Sequence, residues 1–78
     1  MNLYLISQRK NNGYDTYDSA VVAAESEDDA RSIHPGGGPY SADQAYTWAA
    51  PEYVTAIFIG IASPGTERGV ICASFNAG

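Results

Sequence analysis

Four Lys or Arg residues, one Cys and one His are all that 78 positions hold of the side chains most used to grip phosphate, ligate transition metals or form disulfides. With nine Asp or Glu the formal charge is −5, which repels anionic lipid and nucleic acid alike, so direct membrane or nucleic-acid binding is disfavoured and a basic partner is favoured. Cys72 has no second cysteine for an internal disulfide, and MNLYLISQRK lacks the charged start and the apolar core of about 7–15 residues that mark a secretory signal. A cytoplasmic location is expected. No apolar run approaches the ~20 residues needed to cross a bilayer.

The same scarcity bears on chemistry. His34 and Cys72 stand 38 positions apart without companion ligands, and the acidic run lacks the alternating Asp/Asn and the Gly of an EF-hand loop. No metal site is expected beyond adventitious contact of Ca²⁺ or Mg²⁺ with Asp28 or Asp29. HPGGGPYS follows no strand and lacks the Lys-Ser/Thr of a phosphate loop, so no nucleotide cofactor is expected either. Cys72 lies in an apolar strand run and reads as a small core thiol rather than a nucleophile. His34 reads as the end of a helix, where an imidazolium would meet the negative end of the dipole, rather than as a general base. No catalytic residue is assigned.

What the chain does hold suits one small α+β domain. Seventy-eight residues bury only about 60–65% of their unfolded surface, and with sixteen large aliphatic, Met, Phe or Trp side chains the core is modest, which makes self-association plausible. Residues 3–7 (LYLIS) and 17–24 (YDSAVVAA) read as strands paired through a tight Asn12-Gly13 turn. Ser26 reads as an N-cap with Glu27, Asp28 and Asp29 in the first turn, predicting a short helix over about 27–33 that Pro35 and the following glycines end. A long irregular surface loop follows over about 35–51, within which Ser41 and Gln44 could cap one helical turn. YVTAIFIGIA, residues 53–62, is the strongest strand signal, with both faces apolar: Tyr53, Thr55, Ile57, Ile59 and Ile61 alternate with Val54, Ala56, Phe58 and Gly60. Such a strand is either central and covered on both faces, or has one face buried in a dimer. Ser63-Pro64 opens a turn, and VICASF, residues 70–75, is the last strand. The expected architecture is a four-stranded antiparallel sheet in the order β-β-α-β-β with one short helix packed on it. Tyr4 and Phe58 read as core; Tyr14, Tyr17, Tyr40, Tyr46 and Trp48 read as amphipathic surface suited to a protein interface.

The acids are unevenly distributed. Asp15, Asp18, Glu25, Glu27, Asp28 and Asp29 fall within fifteen consecutive positions that contain no Lys or Arg. Glu27 can pair with Arg31 at i+4, and solvated surface carboxylates are ordinary, yet Arg31 is the only cation between Lys10 and Arg68. The hairpin tip and helix start should carry a net negative field that draws a basic groove.

LYLISQ, NNGYDTYDSAVVAAESEDDARSIHP and the ending GVICASFNAG are similar to short acidic proteins carried by bacteriophages and mobile elements. Among these the chain resembles small anti-CRISPR inhibitors of type I systems, the type I-C class included. The resemblance covers residues 3–35 and 69–78 and carries no catalytic motif. It implies a binding inhibitor without enzymatic activity, working in the bacterial host cytoplasm. The implied partner is a CRISPR surveillance complex, at the large subunit's surface for the duplex beside the target. A surveillance complex holds DNA with Lys and Arg, so carboxylates spaced like phosphates can occupy the same groove as a DNA mimic. On that reading Asp15, Asp18, Glu25, Glu27, Asp28 and Asp29 stand in for phosphates, with Tyr14 and Tyr17 as packing anchors. Two other classes compete: a small regulatory or structural homodimer joined through the strand at 53–62, and an enzyme acting through His34 or Cys72.

Overall fold

The alternation of apolar and small residues in NLYLIS and TYDSAVVAA sets the first hairpin. In the computed structural model, which describes residues 1–38, 40, 41, 43 and 45–76, these become β1 (Asn2–Ser7) and β2 (Thr16–Ala24). The helix α1 (Glu27–Arg31), a 3-10 turn (Pro51–Tyr53), β3 (Thr55–Ile61) and β4 (Gly69–Asn76) follow. The fold is α+β, with one four-stranded sheet in the order β3-β1-β2-β4 and every neighbouring pair antiparallel. The strand-strand-helix-strand-strand order is the expected one. Because β3 and β4 occupy opposite edges, residues 62–68 must cross three strand spacings, roughly 14 Å, at the end of the sheet. Ala62 N–H donates to Met1 C=O as the connection leaves β3, and a turn at Ser63 follows, closed by Thr66 donating to the Ser63 carbonyl.

The hairpin departs from a tight Asn12-Gly13 turn. Eight residues separate β1 from β2, and the residue with left-handed geometry is Asp15 (φ 58°), with Gly13 at negative φ. Side-chain bonding explains the longer loop. The buried Gln8 amide donates to Asn11 C=O (3.0 Å) and Tyr17 C=O (2.8 Å) and accepts from Asn11 N–H, so its carboxamide replaces the ladder that a two-residue turn would have made.

One face of the sheet carries the core. Tyr4, Ile6, Ala20, Val22 and Ala24 point to the same side and pack beneath Ala30 and Ile33, with Val54 and Ala56 along the β3 edge. Trp48, expected at the surface, is instead fully buried in this cluster. The segment after α1 is a covering layer, pinned by Tyr40 N–H to Ser32 C=O, Tyr17 N–H to Thr47 C=O and Asn11 Nδ2 to Ala45 C=O, and it delivers the indole into the core. Sequence periodicity cannot see this because the segment has none. The Ser41–Gln44 cap falls on Gln44, outside the described residues. Phe58, expected in the core, lies edge-on to Tyr4 at the rim and is 52% exposed, since β3 is an edge strand of the sheet.

The opposite face has no covering layer among the described residues. Its register is regular enough to read in rows across the four strands. Ile57, Leu5, Val21 and Cys72 form one row, and Thr55, Ser7, Ser19 and Ser74 form the next. Leu3 and Ala23, flanked by Gly60 and Gly69, form the third. The bulge in β3 puts Gly60, not Ile59, opposite Leu3, which ends the strict alternation read from the sequence and turns Ile61 toward the Asn2 side. Cys72 is therefore exposed, contrary to its reading as a core thiol: β4 is an edge strand, and no described residue covers it on this face.

Candidate functional site

The first turn of α1 is built by its own side chains. Ser26, with extended backbone (φ −155°, ψ 170°), accepts from Asp29 N–H at 3.1 Å, while the Asp29 carboxylate reaches back to accept from Glu25 N–H at 3.1 Å. The pattern differs from a capping box by one residue, since Asp29 holds the N–H of Glu25, the residue before the cap, and not that of Ser26. The helix ends at Arg31, two residues earlier than expected: Ser32 N–H and Oγ both donate to the Asp29 carbonyl, closing the last turn tightly. His34 consequently lies beyond the helix and does not serve its dipole. It is buried, its Nδ1 accepts from Gly36 N–H at 2.9 Å, and its ring stands edge-on to Tyr17. Burial pushes its pKa below the ordinary imidazole value, so the neutral ring is favoured. With Nδ1 accepting, the proton sits on Nε2, facing Thr47 Oγ1.

Two arginines tie the acidic turn to the sheet. Arg68, leading into β4, donates through Nε to both Asp29 oxygens (2.8 and 3.0 Å) and through Nη2 to Ser32 Oγ. The Arg68 guanidinium and the Glu25 amide together hold the Asp29 carboxyl below its usual range. Arg31 bonds Asp28 at 2.7 Å and Glu27 at 3.4 Å, and its Nε donates to Val54 C=O, joining α1 to the approach to β3. That contact places Glu52 on the same cleft as Asp28 and Arg31. Glu25, Glu27, Asp28, Asp29 and Glu52 thus face two cations, Arg31 and Arg68, leaving three net negative charges on this surface. The Asp28 side chain is 95% exposed even while bonded to Arg31.

The other two acids lie elsewhere. Asp15 is at the hairpin end of β2 and Glu25 follows its far end, a separation of about 30 Å at the usual strand rise. Asp18 sits in a β2 bulge near the hairpin and accepts from Ser19 Oγ. At physiological salt, where screening acts within about 8 Å, the two groups act independently. The hairpin acids also share their loop with Arg9 and Lys10; the Lys10 ammonium lies 4.2 Å from the Tyr53 ring centre. Tyr14 is free at the hairpin tip, whereas Tyr17 is half-buried between His34 and Phe75 and has little surface left for a partner.

Glu52 and Arg68 went unread in the sequence. Nothing within a few positions of either points to α1; only the chain path after β2 and across the sheet end brings them there. His34 lies in the covered layer and Cys72 on the open face, so the sheet stands between imidazole and thiol. Among the described residues no three His, Cys, Asp or Glu side chains converge to hold a metal ion, and no helix is long and apolar enough to cross a membrane. Comparison with protein-family models, curated proteins and solved structures finds no match.

Proposed function

We propose that this chain is a non-enzymatic binding inhibitor that presents the acidic surface of α1 to a basic, DNA-binding protein. The observation that carries the reading is the net of three negative charges gathered by Glu25, Glu27, Asp28, Asp29 and Glu52 around Arg31 and Arg68. Glu25, Glu27, Asp28 and Glu52 are the exposed members, and Asp28 and Glu52 line one cleft with Arg31. Asp29 acts differently. Its oxygens are taken by Glu25 N–H and Arg68, so it shapes the surface rather than meeting a partner. Asp15 and Asp18, roughly 20–30 Å from Glu25 along β2, form a second and weaker contact beside Tyr14.

The sequence resemblance supplies the kind of partner: the large subunit of a type I CRISPR surveillance complex in the bacterial cytoplasm, whose Lys and Arg hold duplex DNA. A carboxylate surface in that groove competes with phosphate. The test is capture of a purified type I surveillance complex, followed by competition with target duplex across a salt series. Affinity should fall steeply as ionic strength rises, and the triple change Glu27→Lys, Asp28→Lys, Glu52→Lys should abolish capture while the circular dichroism spectrum is unchanged. Capture that survives both high salt and charge reversal refutes the proposal.

A further inference from the structure

The face of the sheet away from α1 is unusual for a lone small domain. Its central row, Ile57, Leu5, Val21 and Cys72, is apolar from edge to edge. At the two edges of this face Ile57 and Cys72 are exposed, while Leu5 and Val21 between them are only half-buried. Asp18, in a bulge at the hairpin end, is the one charged residue in any of the four strands.

We propose that a second copy of this chain covers this face, the two sheets stacking about a two-fold axis that runs parallel to the strands. Three observations select a second copy over other occupants. The first is area. Four strands at ~4.8 Å spacing and about seven paired residues at ~3.3 Å make a face of roughly 450 Å², within the range of functional patches on monomers. Two such faces total about 900 Å², the size of a weak, reversible contact, so the dimer is expected to fill toward submillimolar protein. The second is chemical matching. Rotation about an axis along the strands lays each row on its own counterpart, so the hydroxyls of Thr55, Ser7, Ser19 and Ser74 meet hydroxyls, and the apolar row meets itself with Ile57 over the partner's Cys72. An unrelated apolar surface would leave the hydroxyl row unanswered. The third is charge. Stacking on this face turns both α1 surfaces outward with two sheets between them, beyond the roughly 8 Å screening length at physiological salt, so their three net negative charges per chain do not oppose association, and at the hairpin ends Arg9 and Lys10 offset Asp15 and Asp18. It also leaves the α1 acids free for a basic partner.

Sedimentation equilibrium from micromolar to submillimolar protein is expected to give twice the chain mass, with little salt dependence. Ile57→Lys and Ser74→Lys alter exposed positions on opposite edges of the face and should keep the monomer folded. Each buries an unpaired charge in the dimer and should raise the dissociation constant at least ~10-fold. Asp28→Lys should leave it unchanged. The axis has its own readout. Within one chain Ile57 and Cys72 lie roughly 14 Å apart and stacked sheets ~10 Å apart, both beyond disulfide reach, so Ile57→Cys treated with a bifunctional thiol cross-linker of about 10 Å span should form a covalent dimer through the partner's Cys72. A monomer at every concentration, or a dimer indifferent to both lysine variants, overturns the interface. A dimer that the lysines break but Ile57→Cys cannot cross-link overturns the parallel two-fold arrangement.

Discussion

Asp29→Ala is the substitution that best separates a structural carboxylate from a merely solvated one. Truncation leaves the Ser26 cap intact, because that bond uses the Asp29 backbone N–H. It removes the acceptor for Glu25 N–H, worth about 0.5–1.5 kcal/mol. It also releases Arg68. The two side chains of that pair are 25% and 45% exposed, so the pair is discounted for solvent to about 0.5–1 kcal/mol despite its forked geometry. Loss of a negative charge at the helix N-terminus adds about 0.3 kcal/mol. The total is about 2 kcal/mol, which in a domain of this size lowers Tm by about 10 °C. The effect is pH-dependent with a definite sign. The folded pKa of Asp29 is depressed, so its contribution is complete above the unfolded value near 3.9 and is lost as pH falls through the lower folded value. Thermal melts followed by circular dichroism, at equal protein concentration because association shifts Tm, should show the full difference at pH 7 and a shrinking one below about pH 4. A difference under about 0.5 kcal/mol at pH 7, or one that persists unchanged at pH 2, refutes the capping and pairing role of Asp29.

Trp48→Ala should cost about 3–5 kcal/mol and abolish a cooperative melt, since the indole is fully buried in a small core. Trp48→Phe should cost much less, because Trp48 Nε1 has no hydrogen-bond partner among the described residues and its loss sacrifices none. His34 is held neutral by burial, its folded pKa lying below the unfolded value near 6.5, so the unfolded chain binds the extra proton first. Stability should be full above that value and decline as pH falls from 7 toward 5; urea melts of His34→Gln should lack that slope, and an identical slope in both proteins would remove the assignment.

The elements of this fold are written locally. The apolar runs LYLIS, YDSAVVAA, YVTAIFIGIA and VICASF and the Ser26 cap with acids in the first turn depend on near neighbours in the chain, so the sequence by itself determined four strands, one short helix, their order and the negative charge of α1, though not the helix's end at Arg31. Contacts made across longer stretches of chain were decided only by the tertiary structure. Gln8 bonding to Tyr17 replaced the tight turn, and an aperiodic segment carried Trp48 into the core. The sheet order set β3 and β4 at the edges, which exposed Phe58 and Cys72, left the face away from α1 without a covering layer among the described residues and separated Asp15 and Asp18 from the helix acids. Strand pattern records which side of a strand is apolar; only the assembled sheet decides whether anything stands on that side to cover it.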